Sequence, residues 1–275
     1  MTTIHLVGSE GFIGRAIQRE AHAFQLHCWS HRQSDPEHYF DMLNPSSWEA
    51  LLKFKPTRLI LLSWPGLPNY QEQFHVTRNL PACVELLDKL VKAGLKRIVV
   101  AGTCYEYGLQ NGPLNESQLT NPVNCYAIAK DSLRRVIETQ YTQNDLRWCW
   151  ARIFYPIGLG QNPDSLLPSL HQALENGDQT FPLSSGRQLR DFIDVQEVAR
   201  QLLTLLTHQD ALGIYNVGTG IPRSVLEIAE EAIAAHQGTL KLERGVYPDR
   251  PDEPLAFWAQ TEKFQALLNS PHKYP

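Results

Sequence analysis

A glycine-punctuated turn stands near the N-terminus, directly behind a short apolar run. Residues 4–7 have the composition of a buried strand, and Gly8, Gly11 and Gly14 follow them at intervals of three. Apolar residues then recur with helical periodicity from Phe12 onward. Glycines at such a turn let the backbone approach a diphosphate, whose charge the N-terminus of the helix stabilises. This order predicts a dinucleotide-binding turn, although its spacing differs from the usual Gly-x-Gly-x-x-Gly.

The rest of the chain continues as an alternation of strands and helices. Strand-like runs lie at 26–29, 58–63, 96–101 and 146–154, and helical patterns lie at 79–92 and 126–140. The alternation predicts an α/β fold, a doubly wound parallel sheet of the Rossmann type with helices on both faces. Proline and glycine cluster after Tyr155, and helical patterns follow at 166–175, 195–207 and 225–236. We therefore expect a dinucleotide-binding domain with the catalytic residues at 1–155 and a smaller substrate-binding lobe, interlaced with it, at 156–275.

Charge, hydropathy and cysteine usage argue against several classes of protein. The 275 residues carry a formal net charge of −4 without long runs of one sign, which disfavours a nucleic-acid or anionic membrane surface. No apolar stretch is long enough to span a bilayer, and the N-terminus does not resemble a signal peptide. The five cysteines form no Cys-x-x-Cys pair, and the ten histidines show no metal-ligand spacing. We expect a cytoplasmic protein with reduced thiols and no metal.

Tyr126 and Lys130 give the first indication of chemistry. A tyrosine and a lysine four residues apart lie on one face of a helix. The lysine ammonium can stabilise a phenolate and so lower the tyrosine pKa from its ordinary value of about 10. Such a tyrosine can exchange a proton with a carbonyl or hydroxyl group near neutral pH. Behind a dinucleotide-binding turn, the pair predicts proton transfer coupled to hydride transfer.

The residues after the second strand bear on the choice of cofactor. Ser30 and Arg32 follow that strand, and Asp35 comes three residues later. Arg32 can pair with a 2′-phosphate in a charge-assisted fork, and Ser30 can donate a hydrogen bond to it. Asp35 could instead accept a hydrogen bond from a ribose 2′-hydroxyl, which would select NAD. We expect NADP(H), because Asp35 lies late and before a proline, and NAD remains the alternative.

Motifs spread over nearly the whole chain resemble one enzyme family. They are Gly8-Ser-Glu-Gly11-Phe12-Ile13-Gly14, Asp41, Asn79, Thr103, Tyr126 with Lys130, Arg190-Asp-Phe-Ile-Asp-Val, Tyr215-Asn-Val-Gly218 and Arg250-Pro-Asp. Together they are similar to the signatures of the extended short-chain dehydrogenase/reductase family, the NAD(P)-dependent nucleotide-sugar epimerases, dehydratases and reductases. The resemblance implies a nucleotide-diphosphate sugar as substrate. It also implies a homodimer through the helices at 79–92 and 126–140.

The resemblance implies a role for each of these side chains. Tyr126 would be the acid or base at the reacting oxygen, Lys130 would tune it and hold the nicotinamide ribose, and Thr103 would hydrogen-bond the same oxygen. The cofactor-binding residues would be Gly8, Gly11, Phe12, Ile13, Gly14, Ser30, Arg32, Asp41 and Lys130. The substrate-binding residues would be Asn79, Tyr155, Arg190 and Arg250. The two arginines would clamp the pyrophosphate, unless Arg190 is structural and pairs with Asp191 or Asp194.

Four residues bear on the reaction within the family. Members that dehydrate a hexose carry Asp-Glu after the active-site threonine, where this chain has Cys104 and Tyr105. A thiol or a phenol is mostly protonated at neutral pH and cannot replace that pair of carboxyl groups. Tyr155 stands where many epimerases have an asparagine, and Arg32 favours the reducing cofactor NADPH.

We therefore expect NADPH-dependent reduction of a keto group, at C4, of a nucleotide-diphosphate 4-keto-6-deoxy sugar. Two alternatives stay open. One is an NAD-dependent nucleotide-sugar 4-epimerase, and the other is a non-catalytic regulatory protein that binds NADP.

Overall fold

The computed structural model describes residues 1–32, 37–141, 145–249 and 253–270. Its strands are β1 (Thr2–Val7), β2 (Phe24–Trp29), β3 (Arg58–Leu61), β4 (Arg97–Thr103), β5 (Gly112–Leu114), β6 (Arg147–Ile153), β7 (Tyr155–Ile157), β8 (Thr180–Leu183), β9 (Leu189–Asp194), β10 (Gly213–Val217), β11 (Pro222–Ser224), β12 (Lys241–Arg244) and β13 (Phe257–Ala259). Its α-helices are α1 (Phe12–Glu20), α2 (Trp48–Lys53), α3 (Leu80–Lys92), α4 (Cys125–Tyr141), α5 (Leu166–Asn176), α6 (Val195–Thr207), α7 (Val225–Ala235) and α8 (Glu262–Leu268). Each strand and helix expected from the sequence is present.

Six strands form a parallel central sheet in the order β10-β6-β4-β3-β1-β2. β1 pairs in parallel with both β2 and β3, so that Leu6 lies opposite Cys28 on one side and Ile60 on the other. The strand order thus reverses at β1, and the carboxyl ends of β1 and β3 form a topological switch point. Ligands of doubly wound sheets bind at such a point. The sheet confirms the predicted fold class.

Helices cover both faces of this sheet. On one face α1 packs against α6, and Ile17 and Leu202 join the buried core there. On the opposite face α3 packs against α4, and Leu133 joins a second buried core. The pleat of β4 points Val99 into the first core and Val100 into the second. Strands buried on both faces explain the continuous apolar runs of the sequence.

Part of the C-terminal half belongs to the central sheet. β10 pairs in parallel with β6, and α6 packs on α1. The remaining C-terminal strands form small sheets in the orders β11-β9-β7, β12-β8 and β13-β5. The parallel pair of β7 and β9 places Tyr155 opposite Phe192. The division at residue 155 stays a prediction, and residues 195–217 pack with the first of its two units.

No helix among the described residues is both long and apolar enough to cross a membrane. No group of three or more His, Cys, Asp or Glu side chains among the same residues is arranged to hold a metal ion.

Candidate active site

The glycine loop between β1 and α1 leaves no room for side chains at two of its glycines. Gly8 has a φ of +90°, and a Cβ there would lie 2.8 Å from the backbone nitrogen of Ser63. A Cβ at Gly14 would lie 2.3 Å from the carbonyl oxygen of Gly8. Gly11 is the N-cap of α1. The glycines therefore bring the start of the helix against the end of β1, at the switch point of the sheet.

The start of α1 is suited to bind an anion. Among the described residues, no side chain caps its N-terminus, and its first turn contains no acidic residue. The Ser9 hydroxyl is buried and has no hydrogen-bond partner in this part of the chain. Phe12 and Ile13 pack their side chains on the apolar core, so their backbone lies at the helix start. The backbone N–H groups at the start of α1 and the Ser9 hydroxyl can donate hydrogen bonds to the diphosphate of a dinucleotide.

The turn after β2 uses some of its polar groups within the protein. The Ser30 hydroxyl is buried and accepts a hydrogen bond of 3.2 Å from the backbone N–H of Arg32, whose side chain is exposed. The Asp41 carboxylate accepts a bond of 2.9 Å from the N–H of Leu43. Asp35, the rival anchor for NAD, lies outside the described residues. The roles of Ser30, Arg32 and Asp41 toward a cofactor stay predictions.

The three predicted catalytic residues lie at the carboxyl end of β4. Thr103 is the last residue of that strand, and Tyr126 and Lys130 lie one turn apart near the start of α4. All three are buried, with Tyr126 7 % exposed and Lys130 3 % exposed. The side chain of Thr103 lies close enough to the Tyr126 hydroxyl to act on its pKa. Lys130 Nζ donates a bond of 2.8 Å to the carbonyl oxygen of Ala101 on the same strand.

Burial decides the ionisation of this pair. The pKa of Tyr126 is raised above its ordinary value, first by burial and then by Tyr70 and Glu106, while the side chain of Thr103 opposes the rise. The expectation of a lowered Tyr126 pKa is therefore wrong, because desolvation outweighs the stabilisation of a phenolate. Burial also lowers the pKa of Lys130 to about 8. The site thus contains a neutral phenol at Tyr126 beside the ammonium group of Lys130, which loses its proton near pH 8.

A buried carboxylate that the sequence analysis missed fixes the backbone of Thr103. Glu106 Oε1 accepts a hydrogen bond of 2.9 Å from the N–H of Thr103, and the Thr103 hydroxyl accepts one of 3.3 Å from the N–H of Tyr105. Glu106 Oε2 forms an ion pair of 2.8 Å with Arg152 Nε. Trp150 Nε1 also donates to Glu106, at 2.8 Å. The spacing Thr-x-x-Glu is that of a capping box, and this signal could have revealed the arrangement.

Hydrogen bonds connect the residues beside Thr103 to the C-terminal part of the chain. The Tyr155 hydroxyl donates to that of Tyr105 at 3.3 Å, and Arg190 Nε donates to the Tyr155 hydroxyl at 3.1 Å. Arg190 Nη2 lies 3.0 Å from Glu253 Oε2, and the arginine is 2 % exposed. Its guanidinium also lies 4.8 Å from the centre of the Phe257 ring. The two predicted substrate-binding residues Tyr155 and Arg190 therefore contact each other.

Arg190 pairs with neither of the carboxylates considered from the sequence. Asp191 is buried and accepts hydrogen bonds from backbone N–H groups after β10 and in β13, and Asp194 caps α6. The partner of Arg190 is Glu253, 63 residues away in the chain. A contact between Arg190 and a substrate pyrophosphate stays a prediction, and it would compete with this ion pair. Arg250, the second predicted clamp, lies outside the described residues.

Asn79 ends a single π-helical turn, His75–Asn79, that leads into α3. Its Nδ2 donates a hydrogen bond of 2.9 Å to the carbonyl oxygen of Pro65. Its Oδ1 is buried and has no partner among the residues that the structure describes. The His75 ring lies between Asn79 and the catalytic pair, 5.5 Å from the ring of Tyr126. Asn79 thus has a spare acceptor in this region, and its contact with substrate stays a prediction.

Comparison with known proteins places this site in a family. The profile of the NAD dependent epimerase/dehydratase family matches residues 4–218. The chain belongs to this family. Its members are NAD(P)-dependent, oxidoreductase-type enzymes that act on nucleotide sugars, so the resemblance stated from the sequence and the expectation of an enzyme are confirmed.

Individual members of the epimerase/dehydratase family resemble the chain over most of its length. A dTDP-6-deoxy-L-talose 4-dehydrogenase (NAD(+)) of Aggregatibacter actinomycetemcomitans is 30 % identical over 201 residues, which are 73 % of this chain and 74 % of the relative. MoeE5 in complex with UDP-glucuronic acid and NAD superposes with a TM-score of 0.83 at 24 % identity, covering 100 % of this chain and 95 % of that one. RMD from Pseudomonas aeruginosa complexed with NADPH gives a TM-score of 0.82 at 21 % identity, covering 100 % and 94 %. At these identities the two solved structures establish the shared fold.

Proposed function

We propose that this protein is an NADPH-dependent ketoreductase that acts on C4 of a nucleotide-diphosphate 4-keto-6-deoxy sugar. The observation that carries the proposal is the protonation state of the tyrosine in the site. Tyr126 is buried with a raised pKa, and the side chain of Thr103 lies close to its hydroxyl. A neutral phenol beside a hydroxyl can give its proton to an oxygen on which charge develops, as the reduction of a carbonyl requires.

The two residues after Thr103 speak against dehydration. Cys104 is buried, and burial raises the pKa of its thiol. Burial and the neighbouring Tyr155 raise the pKa of Tyr105 well above its ordinary value. Neither side chain supplies a base at neutral pH, so elimination of water across two neighbouring carbons lacks its proton acceptor. Oxidation and reduction at a single carbon need no such pair.

The chain's own residues would bind, orient and protonate in this reaction. The glycine loop and the start of α1 would bind the cofactor diphosphate, and a nicotinamide cofactor, when bound, supplies the hydride. Thr103 and Tyr126 would hydrogen-bond the carbonyl oxygen of the sugar and polarise it. Tyr126 would then transfer its proton to that oxygen, and Lys130 would stabilise the phenolate left behind. Burial of these side chains keeps bulk water from the reacting oxygen.

A relative suggests the position and type of the sugar. The enzyme that is 30 % identical is named as a 4-dehydrogenase of a 6-deoxy sugar, and reduction of a 4-keto group is the reverse of such a reaction. Arg32 supports NADPH, because an exposed guanidinium can pair with a 2′-phosphate. RMD, which shares the fold, is complexed with NADPH, whereas the relative's name gives NAD(+). Both cofactors therefore belong in the test.

The test measures oxidation of NADPH and of NADH with a panel of dTDP-, GDP-, UDP- and CDP-linked 4-keto-6-deoxy sugars. We expect one of these ketones to be reduced with one NADPH consumed per product, and less efficiently with NADH. The 4-hydroxy product should be oxidised when NADP⁺ is supplied in excess. Tyr126→Phe is the matched control, because it removes one hydroxyl and keeps the ring.

Two outcomes would overturn the proposal. Interconversion of two 4-epimers without net consumption of NADPH, together with NAD that copurifies with the protein, would support the 4-epimerase instead. Binding of NADP without turnover of any sugar would support a regulatory protein, and Tyr126→Phe would then leave its biological function intact.

A further inference from the structure

The ammonium of Lys130 lies in an apolar site without an ion-pair partner among the residues that the structure describes. It donates to the carbonyl oxygen of Ala101 at 2.8 Å. Its Nζ also lies 4.0 Å from the centre of the Trp64 ring and 5.9 Å from the centre of the Tyr126 ring. A buried ammonium over an indole face gains a cation–π interaction, which is strongest for tryptophan among the aromatic side chains. Trp64 thus takes the place that a carboxylate would fill in an ordinary ion pair.

Trp64 is itself held by a second buried side chain. Its indole Nε1 donates a hydrogen bond of 3.1 Å to Nδ1 of His75, and His75 Nε2 lies 3.0 Å from the carbonyl oxygen of Asn69. These contacts require a neutral His75 that accepts at Nδ1 and donates from Nε2. Burial lowers the pKa of His75, in keeping with the neutral form. The centres of the Trp64 and Tyr126 rings lie 6.2 Å apart in a T-shaped arrangement.

Trp64 follows the carboxyl end of β3, so the same side chain contacts both members of the catalytic pair. We propose that Trp64 is a positioning residue, locked by His75, which holds the Lys130 ammonium in its charged form beside Tyr126. It acts through Lys130 and does not itself contact the reacting atoms. The role does not depend on which reaction of the epimerase/dehydratase family this protein catalyses.

Burial opposes the charged form of Lys130, whereas Cys83, Glu106 and the face of the Trp64 ring favour it. Burial disfavours the ammonium and lowers the pKa of Lys130 to about 8, so the group is close to losing its proton under physiological conditions. The loss of a desolvated cation–π contact corresponds to a pKa change of roughly 1.5. If the indole face stabilises the ammonium, its removal should lower the pKa of Lys130 and deprotonate the group at neutral pH. If the smaller side chain only admits water, the pKa of Lys130 should rise instead. The sign of the pKa change therefore distinguishes these two effects.

The experiment follows the Cε resonance of Lys130 by NMR in protein labelled with [13Cε]lysine, titrated between about pH 6 and 11. Lys130→Arg assigns the signal, and the exposed Lys241 serves as an internal control. We expect Trp64→Leu to lower the Lys130 midpoint by about one to two pH units. Trp64→Phe keeps an aromatic face without the bond to His75 and should lower it by a smaller amount.

An unchanged or raised Lys130 midpoint in folded Trp64→Leu would overturn the proposal and leave Trp64 a packing residue. Circular dichroism checks the fold, and Trp64→Met carries the same expectation if the leucine variant does not fold. The titration needs no substrate, so its outcome is independent of the proposed ketoreductase activity. Once a substrate is known, the alkaline limb of kcat/KM should move down by the same amount in the same variants.

Discussion

The backbone N–H of Thr103 donates a hydrogen bond of 2.9 Å to the carboxylate of Glu106, which is itself buried in an ion pair with Arg152. The backbone of Thr103, a candidate catalytic residue, is therefore held by a charged pair in the core. A buried carboxylate costs desolvation energy unless its partners remain in place. The pair thus links the stability of the fold to the geometry of the site, and its variants should affect both.

Removing only the carboxylate should destabilise the protein strongly. Glu106→Ala leaves the Arg152 guanidinium buried without its partner, which costs about 3–5 kcal/mol. Glu106→Gln keeps an acceptor for the Thr103 N–H and should cost less. Urea unfolding followed by circular dichroism measures both.

A double variant separates packing from positioning. Glu106→Leu combined with Arg152→Met removes both charges, and we expect it to recover much of the lost free energy of unfolding. Turnover should stay low in this variant, because the Thr103 N–H has lost its acceptor. Full recovery of kcat alongside stability would show that Glu106 has no positioning role.

Gly14→Ala should abolish tight binding of the nicotinamide cofactor. Its Cβ would lie 2.3 Å from the Gly8 carbonyl oxygen, and only a shift of α1 or of the loop could relieve this clash. We expect the dissociation constant for NADPH to rise about tenfold or more, measured by quenching of tryptophan fluorescence. Gly177→Ala, at the C-cap of α5, is the control, since no atom would lie within 4 Å of its Cβ. Equal losses in both variants would contradict this account of the loop.

Tyr126→Phe should lower kcat by a factor of about 10²–10⁴, the range typical of a lost acid or base catalyst. Cofactor affinity and the free energy of unfolding should change little, because the phenol ring keeps its contacts with Trp64 and Tyr70. Single-turnover kinetics with the substrate identified by the panel measures the chemical step. A phenylalanine variant with undiminished turnover would remove Tyr126 from the mechanism.

The free energy of unfolding should fall as the pH drops from about 6.5 toward 4, because of His5. Burial, His27 and His38 lower the pKa of His5 to about 4 from an unfolded value of 6.5, so below pH 6.5 the unfolded chain takes up a proton that the folded chain refuses. The stability is fully present above pH 6.5, and the loss reaches about 3 kcal/mol near pH 4. Urea unfolding at several pH values should show this slope reduced in His5→Gln.

The local features of the site were predictable because neighbours in the chain encode them. The helical spacing of Tyr126 and Lys130, the turn at Gly8 and Gly14 and the alternating apolar runs depend on residues a few positions apart. These patterns sufficed for the parallel sheet and for the family. Thr103 could be assigned in the same way, since it stands at the end of a strand pattern.

Contacts between distant residues could not be predicted in this way. Glu106 and Arg152 lie 46 residues apart, and Arg190 pairs with Glu253 rather than with an adjacent aspartate. Trp64 gave no sequence signal of its contact with Lys130, because the two side chains meet only when β3 and α4 pack on the same end of the sheet. The position of a carboxylate or an indole in the sequence does not reveal its role until the residue that it contacts is known.

The sequence by itself determined the elements, their parallel arrangement and which side chains could carry chemistry, since each depends on local periodicity and on residue type. Only the tertiary structure decided how those side chains ionise and what holds them. Tyr126 is a neutral phenol rather than a tyrosine of lowered pKa, because burial removes the water that would stabilise its phenolate. The ammonium of Lys130 faces the indole ring of Trp64 and forms no ion pair within the described residues, because the packing of the folded chain brings these two side chains together.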